Sequence, residues 1–323
     1  MRVIFMGSAD VSCVMLDALL ATPGVTVVGV VTQPDRPVGR NRRMTPCPCC
    51  ELAVKRALPV IKPEKINAAE SLAQLEAWAA DVIVVVAYGQ FLGKKLLVMP
   101  QLGCVNIHLS LLPRHRGAAP VQWAIMAGDA ASGVTAMLMD AGMDSGDILA
   151  QVSELIRADD TAESLYDRLS PLGAKLLVRT LADLAAGRAV RTPQDATAVT
   201  FAAKLCKENG RISWNLTAVE IERRVRGLFP WPGCFTMMPR QPGATGESER
   251  VKILRVAVQD SSAGTAPGTV LEINEAGPLV QTGRGALRLL EVQPEGGKPM
   301  PASAFRRGHP LQVGDVLGGE SRI

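Results

Sequence analysis

Short apolar runs alternate with helically spaced apolar positions over residues 1–190. Val3 to Met6, Val25 to Val31, Pro59 to Ile61, Asp81 to Ala87 and Cys104 to His108 read as strands, each a brief β-branched run bounded by turn-forming residues. Val11 to Leu20 and Ala68 to Ala79 instead place their apolar residues on one helical face. The run VIVVVA at 82–87 has no polar alternation. Such a strand is buried on both faces, as in a parallel sheet covered by helices. Val134 to Met139 and Ile148 to Leu155 extend the sheet on either side of a polar, Gly-rich loop, and Thr161 to Leu184 is a long helix with a Thr-Ala-Glu-Ser start. The pattern predicts an α/β domain with an open, mostly parallel, Rossmann-like sheet. Its first turn, Gly7-Ser8-Ala9-Asp10, lacks the glycines of a dinucleotide fingerprint.

The rhythm changes near residue 201. Residues 187–200 are polar and aperiodic, and 191–207 reads as a linker. Trp214 to Gly227 has helical spacing. Val251 to Val258, Gly268 to Ile273, Pro278 to Thr282 and Ala286 to Val292 then recur as short strands broken by Gly and Pro. That pattern predicts a small, mostly antiparallel β-barrel or sandwich over 208–323, and barrels of the oligonucleotide-binding type are one such class.

Composition refines this picture. A chain of 323 residues suits two domains. No apolar run approaches bilayer length, and Val3 enters a strand with no export-signal pattern before it, so a cytoplasmic protein is expected. Seven cysteines, an odd number, then read as reduced thiols. Residues 1–200 carry 19 Lys/Arg and 19 Asp/Glu, whereas 201–323 carry 16 and 12, so the net +4 lies in the C-terminal part. Arg36, Arg40, Arg42 and Arg43 also fall within eight residues containing no acid. Two basic features make a large polyanion a candidate partner, although charge alone favours a solubilising surface. Pro34 and Pro37 are expected to keep the arginine segment out of sheet and helix, so that it orders only on a partner.

The candidate chemistry lies at the end of one strand. Asn106 and His108 alternate onto the same face at its carboxyl end, before a loop containing Pro113 and Gly117. Ligands bind at that edge of open α/β sheets, and an amide beside an imidazole offers a hydrogen-bond donor and an acid/base. An Asn and a His that merely satisfy buried backbone groups would look the same. The acidic loop Asp140 to Asp147 can supply a carboxylate to the imidazole, or it is an ordinary acidic hairpin. Cys47, Cys49 and Cys50 crowd three thiols into four residues, but no spaced second pair completes a tetrahedral site, so they read as packing residues at a helix start.

Further motifs extend these stretches. They are Val31-Thr-Gln-Pro-Asp-Arg-Pro37 with Gly39-Arg40, Val85-Val-Ala-Tyr-Gly89, Asn106-x-His108-x-Ser110-Leu-Leu-Pro-Arg114-x-Arg116-Gly-Ala-Ala-Pro120, Gly133-Val-Thr135, Met139-Asp140, Gly142-x-Asp144-x-Gly146-Asp147, Lys204-Leu205, Pro230-Trp-Pro-Gly233 and Pro267-Gly-Thr269. With them the chain resembles the folate-dependent formyltransferases, and among these the methionyl-tRNA enzymes, from Val3 to about Gly319.

The resemblance implies formyl transfer from 10-formyltetrahydrofolate, a cosubstrate, to the α-amine of methionyl-initiator tRNA, by a monomer without a metal. It makes Asn106 and a protonated His108 donors to the tetrahedral oxyanion, with Asp144 holding the imidazolium and ordering water. It places Val86, Tyr88, Gly89, Ser110, Leu111, Leu112, Pro113 and Asp140 around the folate. It also assigns Arg36, Arg40, Arg42 and Arg43 to the tRNA, with Arg40 matching the family's tRNA-contacting position. The glycinamide-ribonucleotide enzymes resemble only the first domain. The amino-sugar-nucleotide enzymes are the closer rival, since their family also carries a PWPG segment and a small barrel, but they usually lack the basic loop. A catalytically silent nucleic-acid-binding protein is a third class, against which the intact Asn106, His108 and Asp144 speak. The chain departs from the family pattern at Leu109, His115, Trp123, Leu138, Gly93 and the Cys47 to Cys50 run.

Overall fold

The computed structural model describes residues 1–38, 42–239, 248–261, 264–305 and 311–318. They form two compact units: residues 1–120, 131–155 and 166–203, and residues 121–130, 156–165 and 204–323.

The first unit contains β1 (Arg2–Gly7), α1 (Asp10–Leu20), β2 (Thr26–Val31), β3 (Arg36–Val38), β4 (Arg43–Thr45), α2 (Pro48–Lys55), β5 (Val60–Ile61), α3 (Ala69–Ala77), β6 (Val82–Val86), α4 (Lys94–Leu97), β7 (Cys104–His108) and β8 (Arg116–Gly117). The helix α5 (Pro120–Ala127), nearly all of it in the second unit, leads to β9 (Ala131–Leu138) and β10 (Ile148–Leu155), and α6 (Ala162–Ala185), whose first turn is in the second unit, leads to β11 (Phe201–Ala202). The main sheet has the order β10-β9-β7-β6-β1-β2-β5. Five strands, β5 through β7 in that order, run parallel, and β9 and β10 are antiparallel additions at one edge. All five residues of β6 are buried, as its unbroken apolar run requires. Its Ile83 packs in one cluster with Ile4, Met6, Leu75, Leu96 and Tyr88.

Two sequence expectations are corrected here. The arginine segment does join a sheet: β3 pairs with β4, with Pro37 opposite Met44. Both strands of a two-stranded ribbon are edges, so a proline without an N–H interrupts no central ladder. The helix expected from Trp214 begins only at Ala218. Thr217 caps it through a reciprocal box with Glu220, which marks the start.

The second unit adds α7 (Ala218–Gly227), β12 (Cys234–Pro239), β13 (Ser248–Gln259), β14 (Val270–Asn274), β15 (Gly277–Gln281), β16 (Ala286–Pro294), β17 (Met300–Pro301) and α8 (Ala302–Phe305). Its antiparallel sheet runs β12-β13-β16-β15-β14, with β17 beside β16. Residues 315–318 bridge the two ends. Leu317 N–H donates to the Gly268 carbonyl at 2.9 Å and Gly318 N–H to the Met237 carbonyl at 2.8 Å. Trp214 is buried under that bridge and donates its indole N–H to Thr236 Oγ1 at 3.0 Å.

The glycine of the Gly133-Val-Thr135 motif has a steric origin. A Cβ there would lie 2.2 Å from the Val152 carbonyl oxygen and 2.6 Å from Leu111. The β9–β10 ladder fixes that oxygen, so the side chain of Leu111 takes the space. Gly133→Ala is expected to lower unfolding stability by about 1–3 kcal/mol through overpacking. Urea denaturation checks this; an unchanged midpoint would mean that β9 and β10 do not pack so closely.

Candidate active site

In the parallel part of the sheet, the carboxyl ends of the strands share one edge, and side chains tie their loops together. After β1, Ser8 Oγ accepts the Gln33 N–H at 3.0 Å; after β2, Gln33 Nε2 donates to the Tyr88 carbonyl at 2.9 Å. Ser12 Oγ donates to the Val86 carbonyl at 2.7 Å. Register places Val85 beside Asn106, so the Val86 to Gly89 loop adjoins the end of β7.

Asn106 and His108 project from one face of β7 and are both buried. Asp144 meets them from the 139–147 loop. The Asn106 amide donates to Asp144 Oδ1 at 3.2 Å, and the Gly117 N–H donates to Oδ2 at 2.8 Å. His108 Nδ1 lies 3.8 Å from the same Oδ2. The other ring nitrogen, Nε2, is 2.8 Å from the His115 carbonyl. A carbonyl only accepts, so Nε2 carries a proton, and in the neutral ring Nδ1 holds the lone pair facing Asp144. His115 and Asp144 both adopt left-handed backbone, with φ of 59° and 48°. Such conformations in non-glycine residues persist only where the surroundings over-determine them.

The loop carrying Asp144 needs its small residues. A Cβ on Gly146 would fall 1.8 Å from the Leu138 carbonyl oxygen. Asp140 closes the loop, accepting the Gly142 N–H at 3.0 Å and the Ser145 hydroxyl at 2.7 Å on Oδ1.

The other residues implicated by resemblance fall into three settings. Val86, Tyr88, Ser110 and Leu112 are buried, and the Ser110 hydroxyl is spent on the Arg114 carbonyl at 2.6 Å. A ligand at this edge therefore meets their backbone before their side chains. Burial raises the Tyr88 phenol well above its usual range. Gly89 turns the chain at φ +85°, Leu111 and Pro113 are half-buried, and Asp140 is exposed. Arg36, Arg42 and Arg43 are exposed on and beside the β3–β4 hairpin, while Arg40 lies outside the described residues.

The sequence pattern gave no sign of Gln194 or Thr200. Gln194 Nε2 donates to the carbonyls of Asp144 and Gly146, at 2.8 Å each, and Thr200 Oγ1 accepts the His115 N–H at 2.8 Å. Both lie in the aperiodic stretch, where only a Pro-Gln pair stands out. Of the crowded cysteines, Cys49 and Cys50 are buried on α2, and burial raises both thiols.

Residues 1–181 match a family described as "Formyl transferase", and residues 204–310 match "Formyl transferase, C-terminal domain". Among solved structures, the chain is similar to an N-formyltransferase from Helicobacter canadensis in complex with folinic acid and dTDP-3-aminofucose. The identity is 17% and the TM-score 0.61, over 89% of this chain and 98% of that one. It is also similar to WlaRD, a sugar 3N-formyl transferase solved with dTDP and 5-N-formyl-THF, at 16% identity and TM-score 0.62, over 90% of this chain and 97% of that one. HypX from Aquifex aeolicus, in complex with tetrahydrofolic acid, matches at 17% identity and TM-score 0.57, over 99% of this chain but 51% of its own. At these identities the likeness is one of fold.

Thiol reactivity checks the packing beside the site. Burial pushes Cys104, at the start of β7, up to about 12, and Cys234 also to about 12, whereas Cys206 is exposed. The thiolate is the reactive form, so at about pH 8 iodoacetamide is expected to label Cys206 first and to spare Cys49, Cys104 and Cys234 until the chain unfolds. Prompt labelling of Cys104 in the folded protein would contradict the packing of β7.

Proposed function

The chain belongs to the formyl transferase family, and from that premise we propose that it transfers formyl from 10-formyltetrahydrofolate to the α-amino group of methionyl-initiator tRNA. One observation carries the choice of acceptor. The exposed Arg36 and Arg43 stand on the β3–β4 hairpin, next to Arg42, and that hairpin rises from the same sheet edge as Asn106 and His108. Arg36 Nη2 reaches Gln33 Oε1 at 3.4 Å, the residue whose amide holds the Tyr88 loop. Acid-free guanidinium groups mounted beside a reaction centre suit the phosphates of an acceptor stem. The basic excess of residues 201–323 favours a long polyanion over a small amine.

The constellation supports the chemistry. An attacking amine must be neutral, and free α-amino groups titrate near about 7.7–8.0, so a modest base suffices. With Nε2 on the His115 carbonyl, His108 serves first as a base and not as the oxyanion donor implied by the resemblance: it takes the amine's proton on Nδ1, and Asp144, facing that atom, stabilises the imidazolium. The same proton passes to the departing folate nitrogen, so His108 ends as it began. Asn106 has two amide hydrogens; one holds Asp144, and the second is free to meet the oxyanion that attack on the formyl carbon creates.

The acceptor assignment is tested with the double variant Arg36→Ala/Arg43→Ala. It is expected to lower kcat/KM for charged initiator tRNA and leave the KM for 10-formyltetrahydrofolate unchanged. The slope of log kcat/KM against log salt should fall by about 1.5–2, as two phosphate contacts are lost. Unchanged tRNA kinetics, or faster formylation of an amino-sugar nucleotide than of charged tRNA, would overturn the assignment.

A further inference from the structure

Asp144 comes to His108 by an indirect route. β9 runs antiparallel to β7, and the Met139 N–H donates to the Cys104 carbonyl at 2.8 Å. The 139–147 loop therefore leaves the sheet at the amino end of β7, and Asp144 must be carried back over Asn106. A long acidic loop returned in this way needs an anchor for its backbone.

Gln194 provides that anchor. Its Nε2 donates to the carbonyls of Asp144 and Gly146 at 2.8 Å each, using both amide hydrogens. Its Oε1 accepts from Arg116 Nε at 3.1 Å and Nη2 at 2.7 Å. Arg116 directly precedes Gly117, whose N–H holds the Asp144 carboxylate. The side chain of Asp144 and its backbone are thus fixed to two adjoining points. The strand carrying Gly117 is itself fixed: β8 pairs with β11, and a Cβ on Gly117 would meet the Ala202 carbonyl oxygen at 2.6 Å. The Thr192 N–H and carbonyl pair with Ile148, which ties down the other side of Gln194.

We propose that Gln194 is a positioning residue for formyl transfer: its side-chain amide holds the Asp144 loop so that the carboxylate faces His108 Nδ1. The proposal rests on the reading of Asp144 given above. Gln194 touches no reacting atom. Its loss should act on kcat through the placement of Asp144 and leave binding of both substrates intact.

A double-mutant cycle tests this, with kcat and both KM values measured for Gln194→Ala, Asp144→Asn and the pair together. Gln194→Ala is expected to lower kcat about 10- to 100-fold, the cost of misplacing a catalytic group by about an ångström. Neither KM should move by more than about threefold. In the Asp144→Asn background the second substitution should cost less than about twofold, because nothing remains to be positioned. Gln194→Met, which keeps the volume but not the amide, should lower kcat like Gln194→Ala while it stays folded at the assay temperature with both KM values intact, separating the effect from misfolding. Multiplicative losses in the pair, or wild-type kcat in Gln194→Met, would overturn the proposal while leaving the role of Asp144 standing. Full activity of Asp144→Asn would instead remove the reading of Asp144, and the proposal with it.

Discussion

The Asp144 carboxylate takes the Gly117 N–H on one oxygen and the Asn106 amide on the other, and it turns the first of these toward His108 Nδ1. Most of the local structure follows from keeping it there. The connection from β9 leaves at the far end of β7, so the acidic loop has to double back. Doubling back requires Gly146 against the Leu138 carbonyl, the Asp140 side chain closing the turn, and left-handed backbone at Asp144 itself. The Gly117 N–H is available at the right point only because β8 is clamped by β11.

The same arrangement fixes the imidazole. The His115 carbonyl takes the Nε2 proton, and the left-handed turn at His115 that points it inward is held by Thr200. Thr135 lies under the loop between them. Its hydroxyl donates to the Ser110 carbonyl and accepts the Leu112 N–H, while Gln151 donates to both Thr135 and the Leu112 carbonyl. With all of these bonds made inside the protein, the segment from Ser110 to Pro113 presents backbone in a fixed shape at the sheet edge. Buried polar groups that are fully paired in this way rigidify a site, and partial pairing would loosen it.

Some of this was legible in the sequence. The uninterrupted apolar runs of β1, β6 and β7 carry their burial in their composition, and strand alternation alone puts Asn106 and His108 on one face. The Gly-rich acidic loop could be seen to contain a carboxylate, but spacing could not show which acid returns to β7. That depended on the resemblance, because a loop's path is set by long-range contacts. Gln194 and Thr200 were invisible for the same reason, since they sit in an aperiodic segment whose partners lie 48 to 85 residues away. The arginine hairpin ran against its prolines, because the rule that excludes proline concerns central strands and not a ribbon with two edges. At Trp214 an apolar position in helical register belonged to a turn, and the cap at Thr217 was the better signal.

In the proposed mechanism the proton of the attacking amine passes through His108. Single-turnover formyl transfer by His108→Ala, with substrate binding measured in parallel, tests it most directly. With the base removed, the chemical step is expected to slow by at least about 100-fold while both substrates still bind. A variant that keeps more than about a third of wild-type turnover would contradict the account and take His108 out of the mechanism.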